Sequence, residues 1–182
     1  MDETKPEVII IFLLCLALVV AAVYDLKYQK IPNLLNFSLA ASALAFYTIF
    51  SGLEGLWFSL TGLLVGTALF LPPYLVGGMG AGDAKLMGAA GAVLGAKGVF
   101  ISALLTALFG GLYALLVLIL HRGYARELFR RTWAVLKTFI LTRQYVPVAE
   151  PNPVQNKPRL CYGLAIALGV FTYLIYGGLD LI

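Results

Sequence analysis

Apolar residues along this chain come in long blocks rather than in the short alternations of strands or the stripes of surface helices. Uncharged apolar runs extend from Val8 to Tyr24, Leu34 to Leu53, Gly55 to Gly82, Leu86 to Ala96, Val99 to Leu120 and Leu160 to Leu179. A helix that crosses a bilayer needs about 20 such residues. The runs therefore predict an all-α, polytopic membrane protein with about six transmembrane helices, built as a single membrane-embedded domain over residues 1–182. The fourth run is short for a crossing, unless Asp83 to Lys85 form its first turn and Lys97 reaches the interface by snorkelling. Asp2, Glu3, Lys5 and Glu7 before the first run are net acidic where a cleaved signal peptide is basic, so that run is expected to remain as a membrane helix.

Composition agrees with the blocks. Of 182 residues, 61% are hydrophobic and only 12% charged, with a mean hydropathy of +0.92, too little polar surface for a water-soluble fold of this size. Charge then sets the orientation. With the N-terminus outside, the cytoplasmic loops hold Lys27, Lys30, Lys85 and the eight basic residues between Arg122 and Arg159, eleven of the chain's 13 Lys and Arg. Asp2, Glu3, Glu7, Glu54 and Asp180 fall on the outer side, which places both termini outside and both Asp25 and Asp83 at the cytoplasmic face.

The polar stretch from His121 to Arg159 divides in two. Leu128, Trp133, Val135, Leu136, Phe139 and Ile140 cluster on one helical face opposite Arg126, Arg130 and Lys137, the pattern of an amphipathic helix lying on an anionic leaflet. Beyond Val146, Pro147, Pro151, Pro153 and Pro158 break any continuous helix, so a loop is expected there. The basic excess follows from topology, and no nucleic-acid partner is inferred from it; membrane lipid is the partner it implies.

Few residues in so apolar a body can do chemistry. Cys15 and Cys161 are not paired as CxxC and read as small buried hydrophobes, and His121 is the only histidine, which rules out a histidine-rich metal site. Carboxylates remain. Asp25 ends the first run and precedes Ile31-Pro32-Asn33, where Pro32 holds Ile31 out of helical geometry and announces a turn. Asp83 closes Gly77-Gly78-Met79-Gly80-Ala81-Gly82-Asp83, where glycine makes regular helix costly by about 1 kcal/mol at each position. Irregular backbone at membrane depth is tolerated where it is buried in protein or lines a wet cavity, and an aspartate there costs at least ~2.5 kcal/mol at mid-bilayer, so it marks a functional site.

Two carboxylates held together share one proton, because like charges raise one of the two pKa values. One can then activate water while the other hydrogen-bonds a carbonyl, as in aspartic proteases. The same pair is equally compatible with proton or cation transport. Asp25 read alone is a helix-end charge paired with Lys27 or Lys30, and Lys85 either steadies a carboxylate or marks the membrane boundary. Gly91 and Gly95, at GxxxG spacing, are expected to pack helices within the fold.

Taken together, Asp25-Leu-Lys-Tyr-Gln-Lys-Ile-Pro-Asn33 and Gly80-Ala-Gly-Asp83-Ala-Lys85 resemble the prepilin peptidase (type IV leader peptidase) family of GxGD membrane aspartyl proteases. A third segment, Arg159 to Gly169, is similar to that family's final helix, with Cys161 where a proline is usual. The resemblance runs from about Leu14 to Gly169. It implies Asp25 and Asp83 as the catalytic pair, Gly80 and Gly82 as residues shaping the loop, and Pro32, Asn33 and Lys85 as supporting motif positions, with no metal and no cofactor. It also implies removal of a basic leader from prepilin or pseudopilin substrates at the cytoplasmic face of a bacterial inner or archaeal plasma membrane. Larger members carry two CxxC pairs and methylate the new N-terminus; lacking those pairs, this chain resembles the short, peptidase-only branch. Tyr24-Asp25 also matches the Tyr-Asp pair of presenilin and signal peptide peptidase enzymes, which differ in cutting within the membrane.

Overall fold

A computed structural model describes residues 7–120, Trp133 and residues 161–177. The expected interfacial helix and proline-rich loop, but for Trp133, lie outside the described residues. The chain divides into one unit of Met1–Gly110 with Cys161–Ile182 and a second of Gly111–Leu160. Every contact described below lies within the first.

Four α-helices are present among the described residues: α1 Glu7–Tyr28, α2 Asn33–Leu75, α3 Ala81–Leu120 and α4 Tyr162–Gly177. The first three are long and apolar enough to cross a membrane. Straight, the 43 residues of α2 would reach about 65 Å and the 40 of α3 about 60 Å, each twice the hydrocarbon thickness. Both are broken. Gly52 (φ 61°, ψ −139°) interrupts α2 and Gly95 (φ 71°, ψ 175°) interrupts α3, each in a left-handed region that only glycine enters cheaply. The described residues thus form six helical segments: 7–28, 33–51, 53–75, 81–94, 96–120 and 162–177.

Side-chain contacts give their directions. At the Gly52 break the chain doubles back so tightly that a Cβ on Gly55 would strike the Tyr47 carbonyl, and the Tyr47 and Phe58 rings meet at a tilt of 56° with centroids 4.9 Å apart. Segment 53–75 then runs antiparallel to 81–94, with Gly62 against Gly91, Gly66 against Met87 and Phe58 against Gly95. Segment 33–51 runs parallel to 81–94, joined by Asn36 to Gly82 and by the Tyr47 hydroxyl to the Val93 carbonyl at 2.8 Å. The carbonyl of Val93 would otherwise lose its helical donor at the Gly95 break, and Tyr47 supplies one. Segment 96–120 meets α4 antiparallel, Gly98 touching Tyr173 and Gly169 resting on Thr106.

The breaks fall close to the sequence expectation but not on it. The second and third runs part at Gly52, ahead of Glu54, and the fourth and fifth at Gly95, before Lys97, because the turn needs a positive φ and charge does not supply one. Asp83 does lie in the first turn of α3, and Lys85 follows it one residue past that turn. Gly91 packs inside the fold as expected of the GxxxG pair, whereas Gly95 makes the turn and lies against the Phe58 ring.

The core consists of residues such as Leu14, Leu18, Leu86, Met87, Val99, Ile166 and Val170, all fully enclosed. Much of the remaining apolar surface is bare: Phe12 is 69% exposed, Ile49 77% and Leu108 66%. Such continuous apolar cover suits lipid rather than water, and the chain is a helical membrane protein.

Candidate active site

The connections 29–32 and 76–80, together with Cys161 before α4, gather at one end of the segments, and both aspartates lie there. Asp25 occupies the last turns of α1 and Asp83 the first turn of α3; each is only 7% exposed. An unpaired carboxylate so enclosed would be strongly disfavoured. Each accepts a backbone N–H: Asp25 Oδ2 from Gly163 at 2.8 Å, and Asp83 Oδ2 from Gly80 at 3.0 Å.

Helix ends account for these bonds. Gly163 belongs to the first turn of α4, where amides have no intrahelical acceptor and the dipole favours an anion. A Cβ at residue 163 would lie 3.0 Å from both Cβ and Oδ2 of Asp25, so glycine is what lets the amide approach the carboxylate. Cys161 adds a weak Sγ contact to the Asp25 carbonyl at 3.9 Å. Lys27 is placed over the Tyr28 ring, 5.5 Å from its centroid, and the carboxylate of Asp25 turns to the Gly163 amide.

Around Asp83 the turn is made by Val76 to Gly80. Gly77 holds φ +77°, and the Val76, Gly77 and Gly78 amides donate to the carbonyls of Pro72, Tyr74 and Pro73. Helix α3 starts at Ala81, so Gly82 and Asp83 are helical rather than part of the irregular stretch expected from sequence. In a first turn the amides have no intrahelical acceptor, and the carboxylate of Asp83 caps one of those just before it.

The two motifs are built against each other. Gly82 faces Ile31: an added Cβ would stand 3.1 Å from the Cβ of Ile31 and 3.5 Å from its backbone N and O. Pro32 starts α2 with φ −60° and ψ 129°. Asn33 Oδ1 accepts a hydrogen bond from Lys85 Nζ at 2.9 Å, and that ammonium also lies 5.5 Å from the Phe37 ring centroid. Lys85 therefore bridges two helices and is not bonded to either aspartate. All seven residues singled out in the sequence are thus brought to one end of the fold.

Two participants are not among the residues singled out in the sequence. The Gly163 amide lies in the third recognised segment, but a backbone donor leaves no side-chain signature. Asn36, 2% exposed, donates Nδ2 to the Gly82 carbonyl at 3.1 Å; its only signal is a polar residue inside an apolar run. Among the described residues, no group of three or more His, Cys, Asp and Glu side chains is placed to hold a metal.

Comparison with curated proteins and with solved structures gave no match. The sequence profile of the type IV leader peptidase family does match, over residues 12–115, a span that includes both aspartates and the turn before each helix. With more than half its length covered by that profile, the chain belongs to the type IV leader peptidase family.

Proposed function

We propose that the protein is a membrane aspartic endopeptidase that removes the basic leader from prepilin-like or pseudopilin substrates at the cytoplasmic face of the membrane. The observation that carries this reading is the enclosure of Asp25 and Asp83 at the same end of the helices, each held by a backbone amide, in a chain of a leader peptidase family.

With one proton between them, the ionised carboxylate takes a proton from water while the protonated one donates to the scissile carbonyl. The water oxygen bonds to the carbonyl carbon, giving a tetrahedral diol. Its collapse breaks the C–N bond: the carboxyl that took the water's proton gives it to the departing amine, and the other carboxylate takes back a proton from a diol hydroxyl as the carbonyl re-forms. Both aspartates end as they began, and neither metal nor cofactor enters. Which aspartate holds the shared proton is a property of the pair.

Six helical segments, with basic residues concentrated at the end that holds the aspartates, support six crossings with the site at the cytoplasmic surface. In this reading the membrane is a bacterial inner or archaeal plasma membrane, a basic leader meets an acidic pair, and the chain acts as a peptidase without methyl transfer. The test is direct. Asp25→Asn and Asp83→Asn are expected to insert normally yet lose cleavage by about 10³-fold or more, read by mass on a peptide with a basic leader, a glycine and an apolar helix. Normal processing by either variant would remove that residue from the pair, and ion flux in proteoliposomes without proteolysis would favour a transporter.

A further inference from the structure

We infer that Asn36 is a positioning residue for the aspartate pair: its carboxamide grips the Gly82 carbonyl and so fixes the turn of α3 that carries Asp83. The inference rests on the catalytic reading of Asp25 and Asp83 above. Asn36 follows the Ile31-Pro32-Asn33 turn by three residues. It is 2% exposed and donates Nδ2 to Gly82 O at 3.1 Å. Asn33, one turn earlier on the same face of α2, accepts from Lys85 Nζ at 2.9 Å. The two bonds therefore reach α3 on either side of Asp83, at residues 82 and 85. The Asn33–Lys85 bond is exposed, where water competes, while Asn36 is enclosed. Gly82 has no side chain, and its carbonyl is the handle by which α2 holds the residue beside the aspartate.

The other end of the same carboxamide separates this role from packing. Asn36 Oδ1 is buried with no hydrogen-bond partner among the described residues. Gly82 lies in α3, where the regular partner of its carbonyl is the amide four residues on. A half-bonded buried carboxamide is unfavourable, and leucine, of similar shape, would orphan no group. Position 36 thus holds a residue that serves the fold less well than an apolar one. What it provides is a directional link between the start of α2 and the residue preceding Asp83.

Three variants of the full chain, purified in detergent and assayed on a synthetic peptide with a basic leader, a glycine and an apolar helix, test this. Asn36→Leu is expected to melt at or above the wild-type temperature while kcat falls about tenfold or more and KM stays within about twofold, because misplacement of a reacting group acts on the chemical step. Asn36→Ala removes the same donor and is expected to lose kcat to a similar degree despite a lower melting temperature; it carries the test alone if the leucine variant does not fold. Ser102→Ala, which deletes a buried hydroxyl that likewise has no partner among the described residues, is expected to leave both constants unchanged. Wild-type kcat in a folded Asn36→Leu or Asn36→Ala protein, or a loss lying entirely in KM, overturns the inference. Activity in Asp25→Asn or Asp83→Asn overturns the reading of the pair and this inference with it, whereas inactive aspartate variants beside a fully active Asn36→Leu protein overturn this inference alone.

Discussion

Glycines next to the aspartates are present for space as much as for flexibility. Adding a methyl at Gly163 places it 3.0 Å from the Asp25 carboxylate, so Gly163→Ala must push that carboxylate off its amide. We expect a fall in kcat of about tenfold to a hundredfold with the protein still folded, measured on a leader peptide. At Gly82 the added methyl meets the Cβ and backbone of Ile31, atoms that alanine also possesses. Gly82→Ala is therefore expected to impair cleavage, and Ile31→Ala in the same chain to give no rescue; recovery in the double variant would show that the branched side chain, and not the backbone, is the obstacle. The two aspartates are legible in the sequence because they are costly in a membrane and accompany turn-forming residues. Gly163 and Asn36 are not. One acts through its main chain, and the other looks like a single polar residue in a helix until the partner 46 residues away is in place.

The elements show how short connections and glycine together fold long apolar runs. Helices α2 and α3 carry their own reversals at Gly52 and Gly95, and the segments that result are drawn close by Gly62 and Gly91, each of which would drive a Cβ into the other's carbonyl. Neither obstacle can rotate away, since both are backbone. Gly62→Ala is expected to destabilise the protein by about 1–3 kcal/mol, seen as a lower melting temperature in detergent. At the far end from the aspartates, Tyr47→Phe removes the donor to Val93 O and is expected to cost about 1 kcal/mol with little change in kcat. Apolar blocks announce helices reliably because their length is set by bilayer thickness. The points of reversal are less legible, since the sequence offers many glycines and only packing selects which adopt positive φ. Pro72 and Pro73 illustrate the converse: both stand inside α2, where local rules would end a helix.

For the whole molecule, charge distribution and segment directions lead to the same arrangement, with Lys27, Lys30 and Lys85 at the end holding the aspartates and Glu54 and Lys97 beside the opposite reversals. In a chain with Cys15 and Cys161 changed to alanine, Glu54→Cys and Lys97→Cys are each expected to react with a membrane-impermeant maleimide added to intact cells, and Lys30→Cys only after lysis. Labelling in the reverse order would turn the site to the outside and contradict cleavage at the cytoplasmic face. The resemblance carried by the sequence motifs runs from about Leu14 to Gly169, and the family profile covers 12–115. α4 lies beyond that profile, yet its first turn supplies the amide that holds Asp25.

The bond from Gly163 to Asp25 joins residues 138 positions apart, and it has a bearing on how the enzyme is made. While a ribosome is still delivering the chain, both acids can already sit in the bilayer with Asp25 lacking the donor that orients it. On the proposed reading, the carboxylate of Asp25 is oriented for cleavage only once α4 has docked.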